Sequence, residues 1–130
     1  MNKKFNWVKL DESKLPNVKG RNQNGFRFYD IDGENYPSIT SVLGIKKKKE
    51  LQKWRDSIGN DVANWEMGRA ARRGKSTHTL IEQYIKGETP TERSVLPLGM
   101  FRLMKPYVDK IDNVHLIEKV MYSKKLTIAG

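Results

Sequence analysis

The chain of 130 residues contains no cysteine. This absence excludes a disulfide framework and a thiolate zinc site, and it is compatible with a reducing compartment. No apolar run approaches the roughly 20 residues of a membrane-spanning helix, and no secretory signal pattern opens the sequence. Acidic residues are in the minority, with 15 Asp and Glu against 25 Lys and Arg, a formal net charge of +10. We therefore expect no membrane partner and a polyanionic one, most commonly nucleic acid.

Turn residues and apolar spacing predict an α+β fold. Residues 1–25 form an irregular lead-in to a domain over 26–130, which opens with a hairpin turning at Asp32-Gly33. Helices are predicted at about 39–58, 61–73, 76–86 and 100–111, followed by a strand at 114–122 and the start of another at 126–130. The predicted apolar stripes are Ala63, Met67, Ala70 and Ala71; Leu80, Ile81, Tyr84 and Ile85; and Met100, Met104, Tyr107, Val108 and Ile111.

The segment Gly74-Lys75-Ser76-Thr77 resembles the end of a phosphate-binding loop. A P-loop, G-x-x-x-x-G-K-S/T, needs a glycine at position 69, which is Arg69 here. Such a loop also follows a buried strand, whereas the residues before Gly74 have helical spacing. The pattern therefore argues against a nucleotide-binding loop.

His78 and Glu82 lie four residues apart on a predicted helix, at the border of its apolar stripe. An imidazole beside a carboxylate can contact a metal ion directly or through water. An ordinary i,i+4 hydrogen-bonded pair at the border of a core is the simpler interpretation of this spacing. Glu118 shares the apolar face of the predicted strand, where a carboxylate is costly without a cation, a donor or a metal. The alternatives for Glu118 are a half-exposed edge strand and a local pair with a lysine.

A basic cluster surrounds the predicted turn at Gly74. Its side chains, together with hydroxyls near a helix start, suit contacts with a nucleic-acid backbone. The lysines at 46–49 are interpreted as a solvated surface, and Trp54 and Trp65 as core residues in preference to base-stacking groups. The predicted backbone-binding residues are Arg69, Arg72, Arg73, Lys75 and Ser76.

Four segments in order, YPSITSVLG, LQKWRDSIG, RAARRGKSTHTLIEQYIKG and HLIEKVMYSKKLTIAG, resemble the front half of a RecB-type PD-(D/E)XK exonuclease domain. The most similar subgroup contains phage exonucleases and the mitochondrial genome maintenance exonuclease. The family's G-x-x-x-H and I-E motifs are matched by Gly74, His78 and Glu82, and its strand glutamate by Glu118. The strand motif A-G-x-x-D is matched only by Ala129 and Gly130.

The resemblance implies a helical arch followed by the first strands of a mixed, restriction-endonuclease-like sheet, incomplete at the C-terminus. It implies exonuclease activity on DNA, mainly on single-strand ends, in replication, repair or recombination. Mg²⁺ or Mn²⁺ would be the ion, His78 a metal contact, and Glu118 and Glu82 catalytic residues. The family's Asp after A-G and its E-x-K or D-x-K motif have no counterpart here. We therefore expect an N-terminal portion of such an enzyme, truncated or split, that is inactive alone. If the gene is divided, a separately encoded C-terminal half would supply the remaining ligands.

Two other classes remain open: a non-catalytic basic nucleic-acid-binding module, and a partner-binding or structural fragment. The family resemblance and the missing cysteine together predict an intracellular protein, in the bacterial cytoplasm if a phage encodes it.

Overall fold

The structure is a computed structural model that describes residues 3–130. It is an α+β fold with a three-stranded antiparallel sheet, a two-stranded hairpin and several helices. The strands are β1 (Arg21–Gln23), β2 (Phe26–Ile31), β3 (Glu34–Pro37), β4 (Tyr122–Ser123) and β5 (Ile128–Ala129). The helices are α1 (Ile39–Gly44), α2 (Lys48–Ile58), α3 (Asn60–Lys86) and α4 (Val95–Val108), with short 3₁₀ turns at Glu12–Lys14 and Ile45–Lys47.

The chain divides into two compact units, of which the first joins Met1–Leu10 to Gly59–Glu118. Its core forms where α3 packs against α4, and Phe5 and Val114 complete it. The ring of Tyr84 on α3 makes edge contacts with Phe5 and with Phe101, both at 5.4 Å between centroids. Edge-to-face geometry of this kind is favoured by the ring quadrupoles. The predicted stripe around Leu80, Tyr84 and Ile85 is confirmed as core.

The second unit joins Asp11–Ile58 to Lys119–Gly130. The predicted hairpin is confirmed: β2 and β3 pair with Asp30 opposite Asn35, and the turn places Asp32 and Gly33 at positive φ. Both residue types adopt this backbone at low cost, which is why the local signal was sufficient. The predicted final strand is confirmed in shorter form as β5. The core contains Tyr29, Ile31, Tyr36 and Ala129.

Two predicted helices, 61–73 and 76–86, are one continuous helix, α3, so the predicted stop at Gly74 is wrong. An interior glycine costs about 1 kcal/mol relative to alanine, and helix propagation together with the packing of the α3 stripe outweighs that cost. Gly87, by contrast, does end the helix, in the left-handed conformation with its N–H bonded to carbonyls of the last turn. This is the usual C-terminal use of glycine.

The predicted strand at 114–122 is also wrong. Val114 makes only an isolated bridge with Trp7, and regular pairing begins at Tyr122. Glu118 lies in a bend with φ of +51°, which a strand residue cannot have. An alternating apolar segment forms a strand only if a neighbouring segment supplies hydrogen-bond partners along its whole length. Residues 114–122 have such partners only at their two ends.

Several predicted core residues are exposed. Of the first predicted stripe on α3, only Ala63 is buried. Of the predicted stripe over 100–111, only Val108 is buried. The N-terminal residues are less irregular than predicted. Phe5 is buried in the core with Tyr84, and β1 pairs with β2. The exposed members of the predicted stripes are Met67, Ala70, Ala71, Met100, Met104, Tyr107 and Ile111.

Candidate functional site

The long helix α3 carries all but one of the predicted site residues. Gly59 precedes it and Gly87 ends it, and the stripe with Leu80 and Tyr84 anchors one side to the core. Of the polar residues on α3, Arg69, Arg72, Lys75 and His78 are exposed, and Arg73, Ser76 and Glu82 are half-buried. The structure therefore presents the polar residues of α3 on a rigid element, as a binding surface requires.

His78 and Glu118 lie next to each other. The imidazole Nδ1 atom is 3.8 Å from Oε1 of Glu118, and the two side chains are 76% and 56% exposed. The family resemblance implied that both residues belong to one catalytic centre, with Glu118 on a strand, whereas in the structure Glu118 reaches His78 from a bend. An exposed pair at this distance is a weak ion pair at most, and both groups remain accessible to a ligand.

The backbone of Glu118 is strained. Its φ of +51° is in the left-handed region, where a residue with a Cβ is less stable than glycine by about 1–2 kcal/mol. Such strain is often found at functional positions, because the surrounding structure must impose it. In this bend it brings the carboxylate beside His78.

Glu82 interacts with a different partner. Its Oε1 atom accepts a hydrogen bond from Nζ of Lys86 at 2.6 Å, an i,i+4 pair on the helix. This bond raises the pKa of Lys86. Glu82 and His78 share a side of α3, as predicted, but the structure gives Glu82 the role of a partner for lysine.

His78, Glu82 and Glu118 are too few to hold a divalent ion by themselves. Mg²⁺ and Mn²⁺ prefer about six oxygen-rich ligands in octahedral geometry. Within residues 3–130, no group of three or more His, Asp or Glu side chains is arranged to hold a metal ion. The described residues therefore do not form a complete metal centre.

A second candidate site is a basic cleft of about 390 Å³. One wall comes from α3 and the other from the first turn of α4. The α3 residues are spaced i, i+3, i+4 and i+7, so they share one helix face. We call this the arginine cleft; its lining residues are Arg69, Arg72, Arg73, Ser76, Ser94, Val95, Leu96 and Pro97.

The predicted cluster is divided by the helix. Lys75 does not line the arginine cleft, although its neighbour Ser76 does. At about 100° per residue, His78 projects about 180° away from Arg69. The arginine cleft and the His78–Glu118 pair therefore lie on opposite faces of α3, while Lys75 projects about 60° from His78 on that other side.

The wall from α4 was missed by the sequence analysis. Ser94 is the N-cap, and Pro97 lies in the first turn, where proline tolerates the missing N–H. This serine–proline pattern is a helix-start signal that the sequence contains. A helix N-terminus adds partial positive charge to the three arginines.

Glu92 occupies the rim of this wall. Its carboxylate accepts hydrogen bonds from the N–H groups of Arg93 and Ser94 and interacts with the hydroxyl groups of Ser76 and Ser94. These bonds lower the pKa of Glu92 to about 2, the contact with Ser76 being the largest cause. The carboxylate thus uses donors that could otherwise serve an external anion.

Trp65 lies on α3 next to Arg69, one of the residues that line the arginine cleft. Its side chain is exposed, so the core interpretation is wrong, and the guanidinium of Arg69 lies 4.8 Å from the ring centroid. The contact is a cation–π interaction and holds both groups on the surface. An exposed ring beside a line of arginines is suited to stacking a nucleobase while the arginines contact phosphates.

No protein-family model, curated protein or solved structure matches this chain in the comparisons. Among the helices formed by residues 3–130, none combines the length and apolar character that crossing a bilayer requires.

Proposed function

We propose that this chain acts on DNA as part of a metal-dependent exonuclease of the PD-(D/E)XK type. The observation that carries the proposal is the 3.8 Å approach of His78 and Glu118, which bring together two motifs far apart in the sequence. Their order along the chain resembles that of the family, and their exposure leaves them accessible. The mixed restriction-endonuclease-like sheet and the helical arch are part of this proposal.

The proposed ion is Mg²⁺ or Mn²⁺, with ligands beyond those that residues 3–130 provide. The His78–Glu118 pair would form one side of such a centre. The remaining carboxylate ligands would come from a segment that carries the family's Asp and E-x-K or D-x-K motifs. Hydrolysis by this chain alone is then not expected, because carboxylates are needed to fix the ion and polarise the phosphate.

Metal contact can be tested without activity. Mn²⁺ is paramagnetic, so a bound ion broadens the NMR signals of nearby protons. We expect low concentrations of Mn²⁺ to broaden the His78 ring signals and the amides around Glu118 first, and His78→Ala to abolish the selective effect on the Glu118 amides. His115→Ala is the matched control, because His115 is the other histidine and is exposed. Uniform or absent broadening in the wild type would contradict a metal contact at this pair.

Nuclease assays on end-labelled single strands with Mg²⁺ or Mn²⁺ complete the test. The chain alone should release no nucleotides. Addition of a polypeptide that carries the family's Asp and E-x-K motifs should produce chelator-sensitive digestion that depends on His78. Robust, chelator-sensitive digestion by the chain alone would show that the requirement for further ligands is wrong.

The second candidate function is a non-catalytic nucleic-acid-binding module. It is favoured by the arginine cleft, whose three guanidinium groups lie on the face of α3 opposite to His78. In this case binding would depend on Arg69, Arg72 and Arg73 and would be indifferent to His78→Ala and to Mn²⁺. The two proposals are distinguished by the NMR experiment, because only the exonuclease proposal requires metal-dependent broadening at His78.

A further inference from the structure

A groove of about 450 Å³ lies in the second unit, outside both sites described above. Its floor and walls come from the β1–β2 turn, α1, the Ile45–Lys47 turn and the start of α2. We call it the lysine groove. The residues that line it are Gly25, Phe26, Thr40, Ser41, Gly44, Ile45, Lys47, Lys48 and Leu51.

The groove exposes apolar surface that its own unit does not cover. Ile45 is 55% exposed and Leu51 is 44% exposed. A Cβ atom added at Gly44 would have no heavy atom within 4 Å, so open space continues beside α1. Clustered apolar side chains in a concave surface are typical of interaction sites.

The positive charge around the lysine groove favours a negatively charged partner. Lys47 and Lys48 line it, and Lys46 and Lys49 continue the run on either side. A second copy of a chain with a net charge of +10 would bring the same lysines together, which is unfavourable. A partner that carries carboxylates next to apolar side chains matches both features of the groove.

The lining favours a peptide over a nucleic acid. Sites for single-stranded nucleic acid combine stacking aromatic rings with arginines, as the arginine cleft and Trp65 do. The lysine groove instead has aliphatic walls, one aromatic ring at Phe26 and no arginine. Aliphatic pockets accept leucine, isoleucine or phenylalanine side chains of a peptide, and the compact ammonium groups of lysine pair with carboxylates.

We propose that the lysine groove is a docking site for an acidic peptide segment of a partner protein, with an apolar side chain inserted next to Gly44 and carboxylates beside Lys47 and Lys48. This inference is independent of the exonuclease proposal. It assigns a protein partner to the second unit, where Arg69, Arg72, Arg73 and His78 have no part.

The test uses short fluorescein-labelled peptides and fluorescence anisotropy. The probe contains Asp and Glu residues around Leu and Phe; one control peptide replaces the apolar residues with Ser, and another replaces the acidic residues with Lys. We expect the probe to bind at least about tenfold more tightly than either control, because both contacts contribute. Gly44→Leu, which fills the open space at an ordinary negative φ, should weaken the probe at least about tenfold.

Two further variants keep the test decisive. Gly99→Leu is the matched control, since Gly99 lies within α4 and also has no atom within 4 Å of an added Cβ; it should leave binding unchanged. Lys47→Gln with Lys48→Gln alters only exposed side chains and should weaken the probe at least about tenfold, even if Gly44→Leu proves unfolded by circular dichroism. Equal binding of probe and Ser control, or probe binding insensitive to Lys47→Gln/Lys48→Gln, would overturn the proposal.

The same variants separate the other possible occupants. A labelled oligothymidylate and vesicles containing anionic phosphatidylserine are titrated in parallel. If Gly44→Leu weakens either of these while the acidic peptide shows no specific binding, the groove serves nucleic acid or a membrane surface, and the peptide proposal is wrong.

Discussion

Trp65 and Arg69 form a cation–π pair on the exposed surface of α3, with the guanidinium carbon 4.8 Å from the ring centroid. The two residues are one helical turn apart, and Arg69 also lines the arginine cleft. The exposed ring of Trp65 therefore lies next to the positive charges of Arg69, Arg72 and Arg73. That combination suits a single strand, whose bases and phosphates are both accessible.

The arginine cleft predicts a defined salt dependence of DNA binding. Each phosphate contact to a single strand contributes about 0.7 to the slope of log K against log salt concentration. Replacing Arg69, Arg72 and Arg73 together with Gln should lower the slope by about 2. Affinities for an oligothymidylate, measured by anisotropy across a salt series, provide the slope. Arg102→Gln is the control, because Arg102 is exposed on α4 outside the cleft, and an equal decrease there would indicate nonspecific attraction.

Trp65→Ala should weaken single-stranded DNA binding by about fivefold or more, because stacking on an aromatic side chain contributes about 1–3 kcal/mol per base. The melting temperature should change little, since the side chain is 56% exposed. Trp54→Ala on α2 is the matched variant and should retain wild-type affinity. Quenching of Trp65 fluorescence on DNA addition provides a second measurement. Unchanged affinity and unchanged fluorescence would argue against a stacking role.

Glu92 should make stability dependent on pH in the acidic range. Its pKa in the folded protein is about 2, below the ordinary value of 4.5, so its stabilising contribution is present above pH 4.5. The contribution is lost as the pH falls from 4.5 through about 2. Glu92→Gln should therefore lower the melting temperature at neutral pH, and the difference from wild type should disappear near pH 2. Glu88→Gln removes the same charge at an exposed position and is the matched control; it should leave the melting temperature at neutral pH close to that of the wild type.

The same substitution should strengthen DNA binding. Glu92→Gln removes a negative charge beside the arginine cleft and loosens the hold on Ser76 and the first turn of α4. We expect tighter binding of an oligothymidylate and a steeper salt dependence. A decrease in affinity would instead show that Glu92 positions Ser76 or Ser94 for the ligand.

Replacing Glu118 with glycine should relieve the backbone strain and also abolish the proposed metal contact. Glu118→Gly and Glu118→Ala remove the same carboxylate, but only glycine relieves the positive φ. The glycine variant should be about 1 kcal/mol more stable than the alanine variant in urea unfolding, and both should lose the selective Mn²⁺ broadening at His78. Equal stability of the two variants would contradict the strained backbone.

Local chemistry was enough to predict part of this fold. The turn at Asp32-Gly33, the helix end at Gly87 and the buried stripe with Leu80 and Tyr84 depend on neighbours in the sequence. Gly74 was misinterpreted because one weak local preference was outweighed by the cooperativity of a long helix. The 114–122 segment was misinterpreted because alternation does not reveal which segment supplies hydrogen bonds.

The sequence by itself determined the surplus of positive charge, the α+β composition and the common helix face of Arg69, Arg72 and Arg73, because composition and helical periodicity depend only on the order of residues. Tertiary structure alone decided that the first turn of α4 closes the arginine cleft, that Trp65 stays exposed, and that a bend brings Glu118 to His78. These outcomes depend on contacts between distant segments, whose free energies compete across the whole chain.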